Sequence, residues 1–143
     1  MEYGEVIEML PGGDELISRA SFGWKNENPI GQGKVAGGKE SQAAFTLHSG
    51  EAVVVEDLRT EKRFNVSPLL LQNNAVSGMS VIIQGQDRPF GVLAAYTISS
   101  RKFLADDVDL LTAVANVLAE AIARKQSETA LREKRSEVPP VGR

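Results

Sequence analysis

Gly33-Lys34-Val35-Ala36-Gly37-Gly38-Lys39 spells the first seven positions of a phosphate-cradling loop, in which backbone N–H groups and a closing lysine surround a nucleotide's phosphates. The eighth position of such a loop carries Ser or Thr to ligate magnesium. Here it is Glu40, whose carboxylate would repel phosphate. The segment follows Asn26-Glu27-Asn28-Pro29 instead of an apolar strand, so a glycine-rich loop is the better reading. Gly31-Gln32-Gly33-Lys34-Val35-Ala36 echoes a dinucleotide fingerprint and lacks its strand for the same reason. His48 is the only histidine and cannot form a metal cluster, although one histidine can be an axial haem ligand. Its place at the end of a short helix favours an exposed residue facing the helix dipole. Asp106, Asp107 and Asp109 invite a cation, but carboxylates in a first helical turn are what that dipole favours. The chain has no cysteine, which excludes disulfides, thiolate zinc sites, a cysteine nucleophile and thioether attachment of a chromophore.

A second group of residues suits binding. Asp57 and Arg59 sit where a run of valines gives way to loops. Arg59 can hold an anionic ligand through a bidentate contact. It can equally pair with Asp57 or Glu61, and that pairing is favoured because close ion pairs are common. Trp24, Phe45, Phe64, Met79 and Tyr96 are the large side chains from which a small-molecule pocket would be built. Each is also a natural core residue.

The elements that must position these residues follow from the hydrophobic pattern. Tyr3 to Leu10 and Glu15 to Trp24 read as a β-hairpin turning on Pro11-Gly12-Gly13-Asp14. Residues 25–38 are polar and glycine-rich, a long loop. Ser41 to Ser49 reads as a short helix stopped by Gly50, and Ala52 to Glu56 as a short buried strand. Asp57 to Asn74 is loop with one short helix. Val76 to Gln84 and Phe90 to Ser99 form a second hairpin. From Asp106 to Lys134 the spacing predicts a helix with two adjacent apolar stripes, Val108, Leu111, Ala115, Leu118 and Ile122 beside Leu110, Val114, Val117 and Ala121. Hairpins joined by short helices and closed by a long one predict an α+β domain with a mainly antiparallel sheet.

Length and composition agree with one domain. The chain has 143 residues, 42% hydrophobic and 24% charged, the balance of a folded globular protein with a core large enough to need no staple. A net charge of -3 argues against nucleic acid as a partner. No apolar run is long enough to span a bilayer and no signal peptide begins the chain, so a cytoplasmic location without a membrane partner is expected.

Val76-Ser77-Gly78-Met79-Ser80-Val81-Ile82-Ile83, then Phe90-Gly91-Val92-Leu93, Phe103, Asp106-Asp107, Leu110-Leu111 and Ala115 to Ile122 resemble the closing half of a GAF domain. Ser49-Gly50-Glu51-Ala52-Val53-Val54-Val55-Glu56-Asp57-Leu58-Arg59 and Gly23-Trp24 extend the resemblance to residues 3–125. It implies a GAF/PAS-like sheet of about five to six strands, with short helices over one face and the long C-terminal helix on the other. It places a GAF domain at 1–125 and a polar helix extension and tail at 126–143. Members usually begin with a helix ahead of the first strand, and here the strand starts almost at Met1, so that helix is missing or lies outside this sequence. Members also commonly cap the final helix with Ser or Thr. This chain has Leu104, which leaves capping to Ala105 or Asp106.

The function this resemblance implies is a regulatory module of a cytoplasmic signalling protein, sensing an unknown small molecule and relaying its state through the C-terminal helix. A homodimer is expected through Leu111, Val114, Leu118 and Ile122, together with an attached output domain such as a kinase, cyclase or PAS module. No metal or other cofactor is expected. Some GAF domains reduce free methionine sulfoxide, but those depend on cysteines, so no enzyme activity is expected. The alternatives are a structural dimerisation domain without a ligand, and a noncovalent chromophore or haem sensor.

Overall fold

A computed structural model describes residues 2–12, 15–23 and 40–137, with side chains described as far as 132. Trp24, the glycine-rich Gly33–Lys39 segment and the Pro139-Pro140 tail fall outside the described residues. Among the described residues eight elements follow one another: β1 (Tyr3–Met9), β2 (Leu16–Phe22), α1 (Gln42–Ser49), β3 (Val53–Val55), α2 (Pro68–Gln72), β4 (Ser77–Ile83), β5 (Gly91–Thr97) and α3 (Ala105–Glu137). Their bounds lie close to those expected from periodicity and turn chemistry.

The five strands form one antiparallel sheet in the order β2-β1-β5-β4-β3. Both hairpins are present, and the pairing of β1 with β5 joins them into a single sheet. Gly91 is required where these strands meet: a Cβ there would overlap the Ile7 carbonyl oxygen. A bulge between Val6 and Ile7 sets Ile7 opposite Ser18 and Val6 opposite Ala20. Arg19 is therefore an extra residue on β2, and Ser18 and Ser21 both turn to the same face.

Strand alternation divides the core in two. On one face, Tyr3, Val53, Val55, Ala94 and Tyr96 pack with Leu58, Phe64 and Leu70, while Ile7, Leu16 and Val92 pack with Ala43 of α1. On the other, Val81, Ile83 and Leu93 pack with Ala115 of α3. The short helices thus cover one face and the long helix the other, as the α+β expectation has it.

Local signals explain the helix ends. The Ser41 side chain accepts a hydrogen bond from the Ala44 N–H at the start of α1, and Gly50 closes it in the left-handed conformation at φ 74°. At the start of α3 the expectation is corrected. Capping falls neither to Ala105 nor to Asp106: the Asp107 carboxylate reaches back to accept the Leu104 N–H at 2.8 Å. That is the returning half of a capping box, which an acidic residue three positions into the helix supplies without help from Leu104's apolar side chain. Among the described residues no helix is long and apolar enough to cross a membrane.

Candidate functional site

The loop between β3 and α2 is laid against α1 and leaves a cleft of about 380 Å³ between them. Its walls are Ser41, Ala44, Phe45 and His48 on the helix side, with Lys62, Arg63, Phe64 and Asn65 on the loop side, and Glu40 at one end. The loop is fastened at several points. The Asn65 N–H donates to the Glu40 carbonyl and its side chain to the Glu40 carboxylate, both at 2.7 Å. Glu40, the residue at the magnesium-ligating position of the phosphate-loop reading, thus spends its carboxylate on Asn65. Glu61 accepts the N–H groups of Lys62 and Arg63, and the Arg63 guanidinium turns back onto Glu61. Hydrogen bonding from Arg63 holds the Glu61 carboxyl below the usual carboxylate range.

Arg63 also donates to the Val54 carbonyl at 2.8 Å and stands over two rings, 5.7 Å from the centroid of Phe45 and 5.9 Å from that of Phe64. The rings themselves lie 5.7 Å apart and tilted. An apolar floor, a guanidinium on its rim and the exposed His48 and Lys62 suit a flat or weakly anionic small molecule.

Of the pocket residues expected from sequence, Phe45 and Phe64 are brought together here. Asp57 and Arg59 are not: they close on each other, Nε to Oδ1 at 2.8 Å and Nη2 to Oδ2 at 2.9 Å, on an exposed turn away from the cleft. Hydrogen bonding from Arg59 lowers the Asp57 carboxyl and raises the guanidinium. The structural pairing favoured for Arg59 is the geometry found. Met79 and Tyr96 are split by the sheet. Met79 lies opposite Ala95 in the alternation that carries Val81 and Leu93 toward α3, whereas Tyr96 faces α1. The Tyr96 hydroxyl donates to Gln42 Oε1 at 3.2 Å, and Gln42 Nε2 and Thr46 meet the Ser80 hydroxyl at 3.0 and 2.8 Å. Burial, then the nearby charge of Glu5, pushes the Tyr96 phenol up, so it stays a donor.

Arg63 escaped the sequence reading. The signal was available, because Glu61-x-Arg63 repeats the spacing of Asp57-x-Arg59 and Phe64 follows directly.

On α3 the four residues expected to pair helices belong to two faces. Leu111, Leu118 and Ile122 pack against the sheet cluster of Val81, Ile83 and Leu93, and Val114 alone points outward. The outward apolar set is the second stripe, with Leu110, Val114 and Val117 being 67, 43 and 66% exposed. Among the described residues no group of three or more His, Cys, Asp or Glu could hold a metal ion.

This chain belongs to the GAF domain family, whose sequence profile matches residues 7–122. Solved structures agree on the fold. The GAF domain of a phosphoenolpyruvate-protein phosphotransferase from Coxiella burnetii superposes with a TM-score of 0.76 at 17% identity, over 90% of this chain and 76% of that one. A domain of a putative two-component sensor histidine kinase from Sinorhizobium meliloti gives 0.69 at 16% identity, over 91% and 84%. Free methionine-R-sulfoxide reductase from Neisseria meningitidis, solved with its substrate, gives 0.71 at 17% identity, over 89% and 70%. The fold therefore serves both signalling proteins and enzymes. No curated protein matches the sequence.

Proposed function

We propose that this GAF domain is a regulatory small-molecule-binding and dimerisation module of a cytoplasmic signalling chain, without catalytic chemistry of its own. The observation that carries the reading is α3. Its first half packs on the sheet through Leu111, Ala115 and Leu118, while the same helix presents Leu110, Val114 and Val117 outward and runs on to Glu137. A helix of 33 residues is about 50 Å long at 1.5 Å per residue, far more than the sheet can cover. Paired outward seams would join two copies, and the free end would carry a shift to an attached kinase, cyclase or PAS module.

The cleft of Phe45, Arg63 and Phe64 supports the binding half, since its loop wall is tethered to α1 and ligand occupancy would tighten that docking. The absence of any cysteine supports a non-catalytic role relative to the reductases that share the fold. A thermal-shift screen of small metabolites tests the binding half, because a ligand of the native state raises its stability by mass action. Sedimentation across a wide concentration range tests the dimer. A reproducible lack of any hit, with self-association intact, would favour the second reading of a structural dimerisation domain. That reading draws on the α1 face being filled by Tyr3, Phe64 and Tyr96 of the chain itself.

A further inference from the structure

The sheet face beneath α1 carries buried polar side chains that neither the cleft nor the helix seam explains. Register aligns Val53, Ser80, Ala94, Glu5 and Ser21 in one row across all five strands. To one side of the row lies the cluster of Tyr3, Val55 and Tyr96, and to the other that of Ile7, Leu16 and Val92. Val53 and Ala94 of this row belong to the first cluster, and Ser80, Glu5 and Ser21 are the row's polar members on a face that should be continuous core. The Ser80 end is closed by Gln42 and Thr46 descending from α1. At the other end Glu5 is 8% exposed, and its neighbours on the adjoining strands, Ala94 and Ser21, are both small.

Glu5 is an uncompensated carboxylate. Among the described residues none forms an ion pair with it: Arg19 pairs with Glu8, Arg59 with Asp57, Arg63 with Glu61 and Arg101 with Asp107. Ser18, which alternates with Leu16 onto this face, is 4% exposed, and its hydroxyl has no hydrogen-bond partner among the described residues. It lies close enough to ease the charge on Glu5 without forming a bond of ordinary geometry. A buried acid and an unpartnered buried hydroxyl, side by side among small residues, is a costly arrangement for a core.

We propose that Glu5 and Ser18 form a recognition point for the protonated nitrogen of a small organic cation, an ammonium, amidinium or guanidinium group. The site lies within the sheet face, apart from the cleft, and stands whether or not the cleft takes a ligand. An ionised carboxylate is acceptor-only and one serine hydroxyl can give it a single donor, so an N–H-rich cation supplies further ones. Low dielectric strengthens that attraction and repels an anion with equal force. Burial pushes the Glu5 carboxyl up to about 7, so a bound cation would return it to the ionised form.

A matched four-carbon series tests this: n-butylamine and putrescine against 1,4-butanediol and succinate, with agmatine and acetamidine for the other two cation types. Thermal shift and titration calorimetry on the whole chain at pH 8 should give binding by one or more of the cations, with neither butanediol nor succinate displacing them. Affinity for that cation should fall about tenfold in Glu5→Gln and by a smaller factor in Ser18→Ala, the losses expected for a charge-assisted and a neutral hydrogen bond. Should Glu5→Gln fail to fold, the wild-type chain still decides. Amine binding must weaken as pH falls from 8 to 5, because the carboxylate takes up a proton while the amine stays charged. Among the described residues the one other titratable side chain that Glu5 perturbs, Tyr96, remains protonated throughout. The proposal is overturned if no cation in the series binds, if succinate or butanediol displaces the amines, or if the amines bind Glu5→Gln unchanged. None of these results touches the helix-seam dimer.

Discussion

The guanidinium of Arg63 lies 5.7 Å from the centroid of the Phe45 ring, which fastens the loop between β3 and α2 to α1. The same group donates to the Val54 carbonyl and pairs with Glu61, so one side chain ties helix, loop and edge strand together. Removing it should loosen the loop more than it unfolds the domain. Arg63→Ala is expected to cost about 1–2 kcal/mol, the sum of a partly exposed cation–π contact and a hydrogen bond. Arg63→Lys should recover only part, because an ammonium lacks the fork that serves Val54 and Glu61 at once. Chemical denaturation measures the cost, and amide hydrogen exchange at residues 61–65 should speed up in both variants. An Arg63→Ala chain as stable as wild type, with unchanged exchange in the loop, would remove Arg63 as the fastener.

Glu5 makes stability depend on pH in an unusual direction. Its carboxyl titrates near 7 in the folded chain and near 4.5 when exposed, so between those values the native state holds the extra proton. The stabilisation is fully present below about pH 4.5 and is lost as pH rises through 7, by about 3 kcal/mol for a shift of this size. Most domains gain stability from paired carboxylates over that range, and here Asp57 and Glu61 pull the other way at still lower pH. Glu5→Gln should therefore be more stable than wild type at pH 8 and nearly equal to it at pH 5. Urea midpoints at the two pH values give the answer. A wild type and variant that differ equally at both would mean that burial of the charge is not the cause.

The parts of the fold that alternate or repeat were legible in the sequence. Tyr3-x-Glu5-x-Ile7, the valines of 53–55 and the glycine at 50 each point to one local conformation, and the structure places β1, β3 and the end of α1 there. What was not legible depends on pairing. Met79 and Tyr96 look alike as large buried side chains, and only the register of Met79 with Ala95 reveals that they face opposite layers. The two stripes of α3 were visible, but which one meets the sheet is decided by how the helix lands on Val81 and Leu93. Ser21 joins Glu5 on the core face only because of a bulge that no residue type announces. Glu5 is the instructive case. Its position between Tyr3 and Ile7 on an alternating strand already marked a charged residue on the apolar face.

Met79 and Phe45 should separate stability from binding. Met79 is 1% exposed on the α3 side, so Met79→Ala leaves a cavity and is expected to cost about 2–5 kcal/mol. It should leave untouched the affinity of any ligand found for the cleft. Phe45 is half-buried at the cleft wall, so Phe45→Ala should destabilise less and weaken such a ligand more. Calorimetric titration of the two variants with the same hit gives the comparison. Equal losses of affinity in both would place the ligand somewhere other than the cleft.

The seam on α3 can be tested without disturbing the fold, because its two faces are chemically separable. Leu110, Val114, Val117 and Ala121 continue at alternating steps of four and three residues through Arg124 and Glu128 to Leu131, and all seven are exposed. That is the spacing of a coiled-coil seam, in which a charged pair near the middle lowers stability but fixes register. Leu110→Glu with Val117→Glu should leave the melting temperature of the isolated fold nearly unchanged, since neither side chain touches the sheet. The same double change should convert a dimer to a monomer by sedimentation, because like charges would face each other across the seam. Leu118→Glu, one position along, should do the reverse: it places a carboxylate against Val81 and Ile83, and the chain should fail to fold. A double variant that sediments as the wild type does would remove the outward stripe as the joining surface, while the packing of Leu118 on the sheet would stand.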